Sequence, residues 1–400
     1  MTQGTNDLRV GLIGYGLAGS VFHAPLIAAT EGLTLDTVVT SNAERQAQAR
    51  AEFGAELRCA AEADELWDRA DDLDLIVVAS PNKTHVPLAT AALKAGLPVV
   101  VDKPLAGTAA EARDLAALAD ERGLLLSVFQ NRRWDNDFRT LRKLLANGEL
   151  GDVQRFESRF ERWRPQPKGG WRESGDPEEI GGLLYDLGSH VVDQALVLFG
   201  PAAAVYAEAD VRRPGAQADD DTFIAVTHAN GVRSHLYVSA TTAQLGPRFR
   251  VLGSAAGYVK YGLDPQEAAL REGRRPTDEE PWGVEPEALW GKVGSGESPL
   301  TGGGRPEPTL PGDYPAYYAA VAAALALLEK AEAIATRSLR WLTRRCPARH
   351  RATGRSCGRS FQVVDELPRG GCWPTIASIV SLSTGISSWS KAIRDFRYRS

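Results

Sequence analysis

LRVGLIGYGLAG, residues 8–19, is the stretch that decides the fold. Its first half is an apolar run typical of a strand buried on both faces of a parallel sheet. It then breaks into the spacing Gly-x-Gly-x-x-Gly, and an apolar helical run follows. In a dinucleotide site the first glycine permits the tight turn, the second lets the backbone approach the pyrophosphate, and the third lets the helix pack on the sheet. Because the motif follows a strand and opens a helix, it predicts a nucleotide site rather than a merely structural glycine turn. The residues expected to contact the nucleotide are Gly14, Tyr15, Gly16, Leu17, Ala18 and Gly19.

Length and composition indicate an ordinary globular protein. Its 400 residues suggest two or three domains, and 43% are hydrophobic, which is ample for a sizeable core. The N-terminus has no basic flank before an apolar run, and no window has the ~18 apolar residues of a membrane span. The four cysteines show neither C-x-x-C nor zinc spacing. These observations predict a cytoplasmic protein without a membrane partner.

Strand and helix patterns alternate over residues 1–129. Apolar runs predict strands at 33–40, 73–79, 97–101 and 124–128, and helical patterns lie at 42–53, 86–94 and 109–121. This alternation predicts a Rossmann domain with a doubly wound parallel sheet. Ligands bind outside the carboxyl ends of such strands. We therefore expect Ser80, Pro81 and Asn82, together with Lys103 and Pro104, to share one cleft with the glycine loop.

The end of the second strand bears on the choice of cofactor. NAD-specific folds place an acidic residue there to hold the ribose 2′-hydroxyl. Here Thr40, Ser41 and Asn42 are followed by Arg45, and a small polar end with an arginine suits a 2′-phosphate better. We predict NADP, with NAD possible. The open alternative is that Ser41 or Asn42 only caps the next helix and Arg45 is solvated.

The pattern changes after Gln130. Alternating runs predict strands near 153–162, 203–212, 222–227, 233–240, 249–252 and 258–261, while helices are predicted at 135–145, 183–199 and 314–328. We interpret residues 130–325 as an α+β domain for substrate binding and oligomerisation, with a large, mostly antiparallel sheet. The Pro-, Gly- and Glu-rich stretch 264–313 is expected to be a long surface loop.

Six stretches follow one another along residues 8–325: GLIGYGLAG (11–19), FHAPLI (22–27), SPNKTH (80–85), VDKPLA (101–106), FQNRRWDNDF (129–138) and GLLYDLGSHVVDQAL (182–196). Together they resemble the Gfo/Idh/MocA oxidoreductase family, which includes glucose–fructose oxidoreductase and inositol dehydrogenases. RFERWRP (159–165) and DPQEAAL (264–270) resemble its branch of NADP-dependent scyllo-inositol-type dehydrogenases. The resemblance implies a Rossmann domain and a second domain whose open sheet supports a homodimer or homotetramer.

The resemblance implies that Lys103, Asp186 and His190 are catalytic. Asp186 and His190 are four residues apart on a predicted helix, so we expect them to share one face. Imidazole exchanges protons near neutral pH, and His190 is therefore our choice of base for the substrate hydroxyl. Lys103 would hold the substrate oxygen. Which of the two carries the proton is left open, and no third ligand supports a metal site. The alternative without a catalytic role is a surface or helix-capping Asp–His pair and a solvated lysine.

Further cleft residues follow from the same resemblance. His85, Trp171 and Arg172 are expected at the cofactor, although Asn82 or Thr84 could instead be a plain helix cap. The expected substrate contacts are Asn131, Arg132, Tyr185, Asp186 and His190. Several neighbours could equally be interface or packing residues: Arg133, Trp134, Arg162 and Trp163.

The resemblance ends near Leu325, where the composition changes. Residues 326–400 contain 14 Lys/Arg and five Asp/Glu, while the whole chain has 46 and 51. We interpret this basic, Cys- and Arg-rich tail as altered, disordered or dispensable. A nucleic-acid-binding tail is disfavoured: its charge fits, but the tail shows no interleaved aromatic stacking pattern. A third reading is that the unusual end leaves the chain poorly folded.

These expectations converge on one function. The sequence predicts an NAD(P)-dependent dehydrogenase or reductase that acts on a sugar, inositol or related polyol, with a hydride passing between the substrate and a nicotinamide cofactor. The alternative is a regulatory protein of the same fold that senses NAD(P) without turnover. The presence of all three residues Lys103, Asp186 and His190 favours the enzyme.

Overall fold

The structure is a computed structural model that describes residues 7–295 and 303–328. The predictions for the tail beyond residue 328 lie outside the described residues. Within those residues, every helix is too short or too polar to cross a membrane.

A six-stranded parallel sheet forms the first half of the chain, as predicted. Its strands are β1 (Leu8–Ile13), β2 (Leu33–Val39), β3 (Arg58–Ala60), β4 (Leu75–Val78), β5 (Val99–Asp102) and β6 (Leu126–Phe129). Their order is β3-β2-β1-β4-β5-β6, with the switch point between β1 and β4. Every residue of β4 is buried, since helices cover both sheet faces. The sequence analysis missed β3, whose three residues are too few to show a pattern.

The helices connect and cover the two sheets. They are α1 (Ala24–Ala28), α2 (Ala43–Phe53), α3 (Asp64–Trp67), α4 (His85–Lys94), α5 (Ala109–Arg122), α6 (Asn136–Ala146), α7 (Ser189–Phe199), α8 (Gln266–Arg271) and α9 (315–328). Two of them, α1 and α7, continue directly from π-helical turns at Ala18–His23 and Leu184–Gly188. Such turns are frequent at functional sites. Here they carry the end of the glycine loop and Asp186.

An eight-stranded, mostly antiparallel sheet forms the second half, as predicted. Its strands are β7 (Val153–Glu161), β8 (Ala202–Asp210), β9 (Asp221–His228), β10 (Arg233–Ser239), β11 (Phe249–Gly253), β12 (Gly257–Lys260), β13 (Gly291–Gly294) and β14 (Arg305–Glu307). The order is β14-β13-β12-β11-β7-β10-β9-β8, and among these pairs only β7 and β10 run parallel. One face packs on α6 and α7 in a core that includes Phe138, Phe156 and Val191.

The prediction of a long loop at 264–313 is wrong in part. The stretch contains α8, and β13 and β14 extend the second sheet. Both strands are short and carry Gly or Pro, which hid them from a periodicity argument. The first of them is placed by pairing with β12, a contact that cannot be read from its own residues.

Helix α9 returns to the first half of the molecule. Its side chains Tyr317, Tyr318, Val321 and Leu325 are buried in the same core cluster as residues of β1 and β2. The hydroxyl of Tyr317 lies 2.8 Å from Ser127 Oγ on β6. The end of the second half of the chain therefore helps to complete the nucleotide-binding half.

Candidate active site

The glycine loop lies at the switch point, between β1 and β4. Gly14 has φ +98°, and a Cβ there would lie 2.7 Å from the Ala79 carbonyl oxygen. A Cβ on Gly19 would collide with the Gly14 carbonyl oxygen, so only glycine permits this close helix approach. A Cβ on Gly16 would meet nothing within 4 Å. Local packing thus explains Gly14 and Gly19, while the space above Gly16 fits the approach of a ligand.

Tyr15 does not line the cleft as predicted. The residue is 2% exposed, and its hydroxyl donates to Glu52 Oε2 at 3.4 Å on α2. Burial, followed by the Glu52 charge, raises the pKa of Tyr15 above its usual range. The Tyr15 side chain therefore points into the core, where its hydroxyl holds the glycine loop to α2. Leu17, in contrast, is 43% exposed at the point where the chain enters the helical segment.

The contacts at the end of β2 are compatible with both alternatives, a helix cap and a site for the cofactor's 2′-phosphate. The Asn42 side chain caps α2 by accepting a hydrogen bond from the Arg45 amide at 3.0 Å. Ser41 and the Arg45 side chain are exposed. Asn42 therefore caps α2, and the exposed Ser41 and Arg45 side chains are accessible to a ligand at the strand end.

The segment after β4 is held by contacts to both halves of the chain. Asn82 Nδ2 donates to the Ile180 carbonyl at 3.0 Å, and Lys83 Nζ lies 2.6 Å from Glu179 Oε1. His85 was expected beside the cofactor, but it is 0% exposed. Its Nδ1 lies 2.8 Å from the Pro104 carbonyl oxygen and its Nε2 lies 2.9 Å from that of Ser80. The ring is therefore not exposed to the cleft in this structure, and His85 joins the loops that carry Ser80 and Lys103, because its ring points inward from the first turn of α4.

Lys103 joins the two halves at the centre of the cleft. It follows the last residue of β5, and its Nζ donates to both the backbone carbonyl and Oδ1 of Asp186, each at 2.8 Å. Burial alone would raise the pKa of Asp186, but the Lys103 ammonium and then Arg172 and Arg162 hold it well below its usual range. Asp186 is consequently a carboxylate, and it holds the ammonium at the strand end.

His190 lies beside this ion pair. It is 5% exposed, and its Nδ1 is buried without a hydrogen-bond partner among the described residues. Burial, together with the charges of Lys103 and Arg132, holds its pKa well below the usual value despite the opposing effect of Asp186. The imidazole is therefore neutral near pH 7, which leaves it able to accept a proton but a weaker base than an exposed histidine.

Arg132 is placed differently from the prediction. Its guanidinium donates to the Tyr314 hydroxyl at 3.2 Å and forms an ion pair with Glu267. The carboxylate of Asp135 lies 3.6 Å away. Because these groups occupy it, Arg132 supports the cleft and is not free for substrate. Its neighbour Asn131 is also buried.

The remaining predicted residues lie on the segment that crosses the cleft before α7. The Arg172 guanidinium carbon lies 4.2 Å from the centre of the Trp171 ring, and Arg172 itself is exposed. The Tyr185 hydroxyl donates to the Gly107 carbonyl oxygen at 2.9 Å, on the nucleotide-binding half. Trp171 and Arg172 are thus accessible at the cleft, whereas the Tyr185 hydroxyl is used to hold the halves together.

Sequence reasoning missed two groups of supporting residues. Arg248 is buried and donates to Ser158 Oγ and Gln194 Oε1, each at 2.7 Å. Behind Lys103, Asp102 lies 3.7 Å from His23 Nε2, and His23 Nδ1 lies 2.6 Å from the Tyr318 hydroxyl. The available signals were an arginine just before the apolar strand β11 and a histidine within an apolar helical segment. Neither signal names its partner, which is distant in sequence.

The donor set fits a dinucleotide and offers no evident metal ligands. The open space above Gly16 lies at the carboxyl ends of parallel strands, beside the start of a helix whose amides suit phosphate. Across residues 7–295 and 303–328, no three His, Cys, Asp or Glu side chains are arranged to hold a metal ion.

Comparisons with known proteins agree with this geometry. Residues 8–130 match the family model of an oxidoreductase family with an NAD-binding Rossmann fold, and residues 138–259 match the GFO/IDH/MocA C-terminal domain. The chain is 45% identical to the uncharacterized oxidoreductase YdgJ of Escherichia coli, over 80% of this chain and 89% of the relative. It is 36% identical to the scyllo-inositol 2-dehydrogenase (NADP(+)) IolW of Bacillus subtilis, over 79% and 86%.

A solved structure resembles the fold closely. The oxidoreductase yvaA from Bacillus subtilis aligns with a TM-score of 0.74 and 35% identity, over 80% of this chain and 89% of that one. The fold, the two family models and the relatives agree with the resemblance seen in the sequence. This chain belongs to the Gfo/Idh/MocA family of oxidoreductases and is a dehydrogenase or reductase with an NAD-binding Rossmann domain.

Proposed function

We propose that this protein transfers a hydride between a nicotinamide cofactor, NADP in preference to NAD, and a sugar, inositol or related polyol. The observation that carries the proposal is the contact of Lys103 with Asp186 across the cleft, with His190 beside it and the open glycine loop at the other end. The name of the relative IolW, a scyllo-inositol 2-dehydrogenase, supports a polyol.

Each catalytic residue has a role that its surroundings favour. A nicotinamide cofactor held at the glycine loop would supply the acceptor for the hydride in the oxidative direction. His190 takes the hydroxyl proton, because its neutral ring is already deprotonated at neutral pH. Lys103 donates to the substrate oxygen and stabilises negative charge developing there. Asp186 positions the Lys103 ammonium through its 2.8 Å contact. In the reductive direction the same groups return the proton.

The preference for NADP is supported by the exposed residues at the end of β2. Ser41 and Arg45 are exposed there, and the small polar end lacks the acidic side chain that would repel a 2′-phosphate. The relative IolW carries NADP in its name. Beyond this strand end, Trp171 and Arg172 are proposed to contact the bound cofactor from the second half of the chain.

The test is a titration of the purified full chain with NADPH and with NADH, followed by nicotinamide fluorescence. A panel of sugars and inositols is then assayed for turnover. We expect tighter binding of NADPH and oxidation of at least one polyol. Binding without turnover on any member would favour the alternative, a protein that senses NAD(P). Tighter binding of NADH would contradict the assignment of Ser41 and Arg45.

We also propose that copies of this chain associate through the outer face of the second sheet, as a homodimer or homotetramer. That face carries a cluster of aromatic rings, with the centres of Phe223 and Tyr237 4.9 Å apart and those of Phe223 and His235 5.9 Å apart. Tyr206, on the edge strand, is 56% exposed. Such a face favours burial against a second sheet. Light scattering on the eluted protein would report a monomer if this proposal is wrong.

A further inference from the structure

Three arginines surround one buried aromatic ring beside the catalytic residues. Phe160, the penultimate residue of β7, is 1% exposed. The guanidinium carbons of Arg132, Arg162 and Arg248 lie 4.9, 5.2 and 5.5 Å from its ring centre. Guanidinium groups this close to one another repel unless anions separate them.

Two of the three arginines are paired with carboxylates of the protein itself. Arg132 forms an ion pair with Glu267 and lies 3.6 Å from Asp135. The Nε of Arg248 lies 3.5 Å from Asp137 Oδ2. Both charges are therefore balanced before any ligand arrives.

Arg162 differs from these two arginines. Its guanidinium has neither an ion pair nor a hydrogen bond with any residue in 7–295 or 303–328, although the residue is only partly exposed. Its backbone is fixed, because the amide donates to the Ser239 carbonyl and the carbonyl accepts from Thr242, at 2.8 and 3.1 Å. The guanidinium itself lies against the Phe160 ring and is partly withdrawn from water, which costs free energy unless an anion pairs with it.

The unpaired charge faces the catalytic centre. Arg162 is among the cations that lower the pKa of Asp186, after Lys103 and Arg172. Asp186 is itself engaged by Lys103 Nζ at 2.8 Å, so it is not available as the Arg162 partner. Burial and then the neighbouring Arg164 charge lower the pKa of Arg162, and the Asp186 and Glu267 carboxylates only partly oppose this.

We propose that the polyol substrate carries an anionic group, a carboxylate or a phosphate, that pairs with the Arg162 guanidinium. This inference rests on the proposed polyol oxidation and names the class of polyol. The planar fork of donors on arginine matches the paired oxygens of either group. Arg162 would therefore determine specificity, while Lys103 and His190 act on the reacting carbon's hydroxyl.

The test uses matched substrates that differ by the anionic group. The pairs are glucose with glucuronate, glucose with glucose 6-phosphate, and myo-inositol with inositol 1-phosphate, each assayed with NADP⁺ and the purified full chain. We expect kcat/KM to favour the anionic member of at least one pair by about tenfold or more. The carboxylate and phosphate arms show which group the site takes.

Variants assign the preference to Arg162. In Arg162→Gln the ratio of anionic to neutral kcat/KM should fall by about tenfold or more, and Arg162→Lys should restore part of it. Arg164→Gln is the matched control, because Arg164 is exposed, lies two residues away and also lacks an ion pair among the described residues. NADPH affinity measured on each variant verifies that the fold is intact.

The outcomes separate this inference from the proposed function. Equal use of neutral and anionic members, or a preference that survives Arg162→Gln, would overturn the inference and leave polyol oxidation standing. NADPH binding with no turnover on any pair would overturn both. A preference that is lost in Arg162→Gln, partly restored in Arg162→Lys and kept in Arg164→Gln would establish the pairing.

Discussion

The two walls of the cleft are built by different means. The nucleotide wall is made of backbone: it is the glycine loop at the carboxyl end of β1, beside the end of β4, with space above Gly16. The substrate wall is made of charged side chains, with Lys103, Asp186 and Arg162 close enough to influence one another. We therefore expect the first wall to be sensitive to added side-chain volume and the second to changes of charge.

The largest expected effect is on the side-chain wall. Lys103→Met should lower kcat/KM for the polyol by about a thousandfold, because it removes the donor that stabilises charge on the substrate oxygen. Steady-state kinetics on the purified variant measure this. Lys94→Met is the control, since Lys94 is exposed at the end of α4. A Lys103→Met enzyme within tenfold of the parent would show that Lys103 is not catalytic.

Variants of the glycine loop, which forms the backbone wall, should separate an effect on NADPH binding from an effect on stability. Gly16→Ala should weaken NADPH binding by about tenfold or more, because its methyl group enters the space a ligand would fill. The same change should leave the free energy of unfolding within about 0.5 kcal/mol, since the Cβ meets no atom within 4 Å.

Gly19→Ala provides the matched contrast. It should cost about 1–3 kcal/mol of stability, because its Cβ collides with the Gly14 carbonyl oxygen. Urea unfolding and fluorescence titration measure both variants. If Gly16→Ala binds NADPH as tightly as the parent, the ligand does not approach the backbone there.

A smaller effect is expected at the end of β2, where a side chain joins the backbone wall. Arg45→Gln should weaken NADPH binding by about fivefold and leave NADH binding nearly unchanged, because one exposed charge-assisted contact is lost. Asn42→Ala is the companion variant. It should cost about 1 kcal/mol of stability through the lost cap, without changing the ratio of the two affinities. An unchanged ratio in Arg45→Gln would leave Arg45 as a solvated residue.

The smallest expected effect is the change of kcat/KM for oxidation between pH 8 and pH 6. His190 works as a base in its neutral form, so activity is lost only as the pH falls through its pKa. A pKa near 6.5 would reduce kcat/KM for oxidation about fourfold between pH 8 and pH 6. Because burial, Lys103 and Arg132 hold the pKa of His190 well below that value, we expect a loss of less than about twofold. An acid limb centred near pH 6.5 would contradict this environment.

Much of the fold could be predicted because it depends on local patterns. The buried run of β1 and the glycine spacing identified a parallel sheet with a nucleotide site, and the alternating runs after residue 150 identified the antiparallel sheet. The errors came where local pattern is weak. The strands β13 and β14 form by pairing along the sheet edge, and their own four and three residues contain too little periodicity to indicate them.

The site divides in the same way. The positions of Lys103 and the glycine loop followed from strand ends, and family resemblance placed Asp186 and His190. The inward orientation of Tyr15 and His85 could not be read from their neighbours in sequence, because it depends on Glu52 in one case and on the Pro104 carbonyl in the other.

Local sequence pattern was enough to predict the parallel sheet apart from β3, the antiparallel sheet apart from β13 and β14, and the nucleotide loop. Which charges are balanced depends instead on contacts between residues that are distant in sequence. Arg132 forms an ion pair with Glu267, 135 residues away, whereas the Arg162 guanidinium forms no ion pair with any described residue. Backbone recognition is encoded by the local conformation of a few residues. The state of a charge depends on every group the fold brings within a few ångströms.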